Sequence, residues 1–115
     1  MAVLSSHFLD GTNGIHAAAV GVTLIHLDAA KGRQTVFSAF SDDGGRITHD
    51  LDAIAGGKYE MVIASGAYFD RQVLPHDGVQ ILEEIVIRFS MPDPEARYHI
   101  PIIMSPNSYS CWWSR

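Results

Sequence analysis

The sequence predicts an all-β sandwich of eight short strands, and three observations carry that reading. Eight runs with strand-like composition follow one another through the 115 residues. Clusters of Gly, Asp and Pro separate them at fairly even spacing, as turns between short strands require. β-Branched side chains, which are stiff on a helix, dominate the long runs, and an amphipathic helical pattern does not fit them.

The elements follow in order. Residues 3–9 form the first run, closed by Asp10-Gly11-Thr12-Asn13-Gly14. Alternate strand residues face opposite ways, so His7 shares a row with Val3, Ser5 and Leu9. Residues 20–27 follow, with a break at 29–32. Residues 34–40 and 46–50 flank Asp42-Asp43-Gly44-Gly45, and residues 59–64 begin after Gly56-Gly57. The only helical candidate is a short piece near 67–72, too brief to stand alone. Residues 79–89 lie between a break at 75–78 and Pro92-Asp93-Pro94. Within residues 97–105, Tyr98, Ile100, Ile102 and Met104 form an apolar row that reads as core. The opposite row, Arg97, His99, Pro101, Ile103 and Ser105, mixes polar and apolar groups as a pocket or interface face does. Pro101 has no backbone donor and argues against a mid-ladder position. The last run, 108–113, puts Ser110 and Trp112 in one row with Ser114, and Tyr109, Cys111 and Trp113 in the other.

Composition narrows the class. The length allows one domain, 1–115. The chain is 47% hydrophobic and 18% charged. A small chain has a large surface for its volume and should be more polar than average. The apolar excess points to a subunit interface or a ligand cavity. Disorder is excluded by the apolar content and the modest net charge of −5. No apolar stretch reaches the roughly 18 residues of a membrane helix, and no basic segment with an apolar core suggests a secretory leader. Acidic balance and eight Lys plus Arg argue against nucleic acid. Nucleotide phosphates find neither a GxxxxGK[ST] loop nor a GxGxxG turn. One cysteine, Cys111, excludes an internal disulfide framework and a multi-Cys zinc site, and a reducing cytoplasm follows.

The candidate chemistry lies with histidine. Six are scattered singly, with no HxH, HxxxH or HExxH spacing, so no metal site is expected. His16, His26, His49 and His76 read as surface or structural residues. Glu83 and Glu84 are neighbours that point to opposite faces of a strand and cannot converge. Serines lack a GxSxG elbow, and Cys111 reads as a buried, inert thiol.

His7 and His99 remain. Leu4-Ser5-Ser6-His7-Phe8-Leu9-Asp10, Gly44-Gly45-Arg46 and the stretch from Tyr98 to Ser110 resemble, in order, motifs of the transthyretin-like 5-hydroxyisourate hydrolases. That family opens with L-S/T-x-H-V-L-D, carries D-G-R, and closes with Y-H-V-P-L-L-L-S-P-x-x-Y-S-T-Y-R-G-S. Gly57-Lys58-Tyr59-Glu60-Met61-Val62-Ile63, Gly66-Ala67-Tyr68-Phe69 and Ile87-Arg88-Phe89 resemble its G-x-Y-E-L-V-F, G-D-Y-F and I-R-F segments. The resemblance is collinear over essentially the whole chain. It implies a transthyretin-like β-sandwich of eight strands, a homotetramer with pockets in an inter-subunit channel, and a catalytic set of His7, Arg46 and His99. It implies a small heterocyclic substrate and no metal or organic cofactor. Transthyretin itself lacks this His–Arg–His set, which favours the enzymatic branch.

The tail departs from the family. Trp112-Trp113-Ser114-Arg115 stands where the family has Tyr-Arg-Gly-Ser. Ser110, Trp112, Ser114 and Ile103 are the expected substrate-binding residues, and an indole favours stacking on a flat ring. Arg115 could supply a displaced cation. Three functions fit the residues: 5-hydroxyisourate hydrolysis in purine catabolism, the same apparatus acting on another flat cyclic amide, and a non-catalytic carrier of a flat aromatic ligand.

Overall fold

The computed structural model describes residues 1–72 and 78–114. Among the described residues, two β-sheets pack face to face over one apolar core, with a single short helix. The strands are β1 (Ala2–Asp10), β2 (Ile15–His16), β3 (Gly21–Asp28), β4 (Gly32–Phe40), β5 (Arg46–Leu51), β6 (Lys58–Ile63), β7 (Ile85–Ser90), β8 (Arg97–His99), β9 (Ile102–Ser105) and β10 (Ser108–Cys111). Helix α1 is Ser65–Asp70.

One sheet runs β4-β3-β6-β7, all antiparallel. The other is built around β1. Ser5 pairs with Thr48 of β5 on one side and His99 of β8 on the other. Leu9 likewise pairs with His16 of β2 and Ile103 of β9. β10 then adds to β9.

Strict alternation sets the faces. Along β1, Ala2, Leu4, Ser6, Phe8 and Asp10 are buried, and the row carrying Val3, Ser5, His7 and Leu9 is only half-buried. Tyr98, Ile100, Ile102 and Met104 are all buried, as their row predicts.

Among the described residues the eight runs become ten strands, for local reasons. Pro101 interrupts residues 97–105, which divide into β8 and β9. The DGTNG turn folds back far enough to create β2. The helix starts two residues before the expected piece and ends two before its limit. Residues 79–84 are not strand, so β7 is shorter than expected and Glu83 and Glu84 do not sit on strand faces. Asn107 explains part of this. Its side chain accepts from Ile81 N at 2.7 Å and donates to Val79 O at 2.8 Å, satisfying groups a neighbouring strand would otherwise pair. β10 stops at Cys111, whose thiol is exposed and not buried as expected.

Candidate active site

The outer face of the β1 sheet is a lattice of aligned side chains. Cross-strand partners lie on the same face of a sheet. One row therefore reads Thr48, Ser5, His99 and Ser114. The next holds Arg46 opposite His7. The third reads His16, Leu9, Ile103 and Ser110. His7, Arg46, His99, Ile103, Ser110 and Ser114 thus share one face. Trp113 lies over core-facing Tyr98, with ring centroids 6.4 Å apart. Alternation then turns Trp112 to the outer face, where it is 47% exposed. Pro101 is buried and does not line that face as its row suggested. His76 and Arg115 lie outside the described residues.

Arg46 is placed by the turn before it. Asp42 Oδ1 accepts from Gly44 N at 3.0 Å and Arg46 N at 2.8 Å, and Asp42 O accepts from Gly45 N at 2.9 Å. Gly45 O accepts from Phe8 N at 2.7 Å, which ties the turn to β1 one residue past His7. Gly45 has φ +75°, and a Cβ there would lie 2.5 Å from Phe8 O. Only glycine lets the turn come this close.

His99 is held by Ser5, whose Oγ lies 2.8 Å from His99 Nδ1. His7 Nε2 lies 2.8 Å from His16 Nδ1. Burial pushes the His7 imidazole below its ordinary value, and the neighbouring Arg46, His16 and His99 push the same way. The Gly44 backbone opposes them in part. Neutral His7 is therefore favoured, as a base requires.

Two partners escaped the sequence. Ser5 is in the expected row, but nothing in its spacing marks the bond to His99. His16 reads as a surface or structural residue; it is exposed, and its ring pairs with His7. The Asp10–Gly14 turn was the available signal, because a tight hairpin there returns residues 15 and 16 to β1. His26 and His49 match the structural reading. They pack on Tyr59 at 5.0 Å and Phe37 at 4.0 Å, respectively. Among the described residues, no group of three or more His, Cys, Asp or Glu side chains could hold a metal.

The site can accept a proton, donate one, and bind an anion through the Arg46 guanidinium. The chain's relatives are consistent with such chemistry. The model of the HIUase/Transthyretin family matches residues 4–113. A 5-hydroxyisourate hydrolase of Caulobacter vibrioides is 32% identical over 116 residues, covering 97% of this chain and 97% of its own. The solved structure of Klebsiella pneumoniae 5-hydroxyisourate hydrolase matches with TM-score 0.78 and 25% identity, over 98% of this chain and 99% of that one. The crystal structure of an (S)-allantoin synthase matches 99% of this chain with TM-score 0.84 and 26% identity, and this chain spans 44% of that protein.

Proposed function

This chain belongs to the HIUase/transthyretin family, and from that premise we propose that it hydrolyses 5-hydroxyisourate in purine catabolism. The observation that carries the reading is the single face on which His7, Arg46 and His99 stand together. Water adds to a ring carbonyl, the ring C–N bond breaks, and the leaving nitrogen takes a proton. His7, kept neutral by its surroundings, belongs to the water-activating side. His99, fixed through Nδ1 by Ser5, belongs to the leaving-nitrogen side. Arg46 holds the planar anion and stabilises the developing oxyanion. The chemistry asks for no metal or organic cofactor.

The substrate face is an open sheet surface in one chain. Ile103 and Trp112 expose 39% and 47% of their surface. A second copy seated there would exclude water from the reaction and bury these groups, which supports a homotetramer with inter-subunit pockets. The proposal includes a single domain over 1–115 and a cytoplasmic location. No described helix is long and apolar enough to cross a membrane.

Freshly generated 5-hydroxyisourate, followed by its ultraviolet decay, tests the reading. The protein should outpace the spontaneous rate, and His7→Ala and His99→Ala should each remove most of the acceleration. No acceleration by the folded protein rules out this substrate.

Trp112 favours a second reading, in which the same apparatus acts on another flat cyclic amide. Its indole gives the face more aromatic area than a phenol would. Turnover of such an amide without turnover of 5-hydroxyisourate selects this reading. Binding of flat aromatics with no turnover of either selects a carrier.

A further inference from the structure

Beyond β10 the backbone bonding to β8 is sparse. β10 ends at Cys111, and Trp112 N reaches Pro101 O only at 3.4 Å. Pro101 has no N–H to return. Past it, an isolated bridge joins His99 to Ser114. His99 N donates to Ser114 O at 3.0 Å, and Ser114 N donates to His99 O at 2.8 Å. On the other side, Ile100 N donates to Ser5 O at 2.9 Å. The backbone that carries His99 is therefore gripped from two sides, by β1 and by residue 114.

β1 is a central strand, but an isolated pair of ladder bonds opens readily unless side chains pack behind it. Trp113 supplies that packing. Its ring centroid lies 6.4 Å from that of Tyr98, with 28° between the planes, within the range of paired aromatics. Tyr98 is a firm base for the contact. It is buried, and its Oη donates to Asp93 O at 2.8 Å and accepts from Asp93 N at 2.9 Å. Tyr98 and His99 are neighbours on β8, as Trp113 and Ser114 are on the segment opposite. An anchor between the first members of each pair therefore holds the second members together. An indole stands where the family motif has Arg, so this aromatic anchor is a feature of the chain and not of the motif.

We propose that Trp113 is a positioning residue for the hydrolysis: its indole, packed on Tyr98, holds Ser114 against the backbone of His99 and so sets where that imidazole stands. The inference rests on the hydrolase reading above. Trp113 acts through His99 and not on the substrate. It lies on the core side of the sheet with Tyr98, and His99 lies on the outer face with Ser5.

The test uses the full chain with Trp113→Ala and Trp113→Phe. A small misplacement of a reacting group can cost up to about 10²-fold in rate. Trp113→Ala should therefore lower kcat by about 10–10²-fold, with KM changed by less than about threefold. Trp113→Phe keeps a ring on Tyr98 and should stay within about threefold of the original kcat. Amide hydrogen exchange reads the same contact without turnover. In Trp113→Ala the His99 amide, bonded to Ser114, should exchange faster, and the Ile100 amide, bonded to Ser5, should keep its rate. Retention of more than about a third of kcat by Trp113→Ala overturns the proposal, since a misplaced imidazole costs more than that. A loss in Trp113→Phe as large as in Trp113→Ala also overturns it. So does faster exchange at His99 and Ile100 together, which would assign Trp113 to the stability of the whole fold. Failure of the hydrolase reading is visible separately, as no acceleration by the unmodified protein.

Discussion

Ser5 and His99 stand opposite each other across the parallel β1–β8 ladder, with Ser5 Oγ 2.8 Å from His99 Nδ1. The contact fixes both the plane of the ring and the nitrogen it presents. A neutral hydrogen bond contributes about 0.5–1.5 kcal/mol, so Ser5→Ala should lower kcat by about 2–10-fold on the same scale. KM should stay near its original value, since Ser5 acts through His99. Imidazole NMR should show His99 losing its fixed tautomer. An unchanged kcat with an unchanged tautomer rejects the positioning role.

Gly45 and Gly32 offer a controlled comparison. Both have positive φ, at +75° and +76°, so an alanine at either pays the left-handed penalty. At Gly32 a Cβ meets nothing within 4 Å, whereas at Gly45 it would lie 2.5 Å from Phe8 O and 3.1 Å from Ala17 N. Gly32→Ala should therefore cost about 1–2 kcal/mol. Gly45→Ala should cost more, by about 1–3 kcal/mol, and should also lower activity by moving Arg46. Denaturant unfolding of the two variants checks the order. Equal losses remove the close-packing explanation for the Gly44-Gly45-Arg46 turn.

Much of this site was legible because strands alternate. Parity alone separated Tyr98, Ile100, Ile102 and Met104 from His99 and Ile103, and Ser110 from Tyr109. What parity cannot give is lateral pairing. The contact of His16 with His7 depends on a hairpin across Asp10–Gly14, and those residues also read simply as a break between strands. The bond from Ser5 to His99 depends on a register spanning 94 residues. Residues 79–84 have strand composition, but Asn107 takes up backbone groups there. Cys111 was misplaced for a different reason. Its row is the core-facing one nearer the middle of the sheet, but β10 lies at the sheet's edge, where the core no longer covers it.

Asp10 and Tyr68 tie β1 to α1. Asp10 is 1% exposed, and its carboxylate accepts from Tyr68 Oη at 2.9 Å. Thr12 N and Thr12 Oγ1 bind the other oxygen. A hydrogen bond to a charged group contributes about 1.5–3 kcal/mol, so Tyr68→Phe should lower stability by about that amount. Burial, and then the Asp10 contact, push the Tyr68 hydroxyl up to about 12. The folded state therefore holds this proton more tightly than the unfolded chain. Its contribution is complete below the ordinary tyrosine value of about 10 and is lost as pH rises toward about 12. Phenolate absorbance should show one tyrosine titrating late in the native protein and not in Tyr68→Phe. Loss of the alkaline stability difference should accompany it.

The His7 environment predicts the acid side of the pH response. Burial is the largest cause of its lowered pKa, followed by Arg46, His16 and, more weakly, His99. The imidazole should stay neutral below the ordinary histidine value of about 6.5. Activity should then persist below that pH and fall only where His7 gains its proton. Stability follows the same sign. A depressed folded-state pKa means the unfolded chain binds the proton more readily, so stability from this group is present above the unfolded value and lost as pH falls through the folded one. Arg46→Gln removes the nearest full positive charge. The His7 midpoint, read by imidazole NMR without any need for turnover, should move up toward, but not reach, the ordinary value, because burial remains. A midpoint that stays still would show that Arg46 exerts no field on His7, and a midpoint that falls would reverse the sign of the interaction.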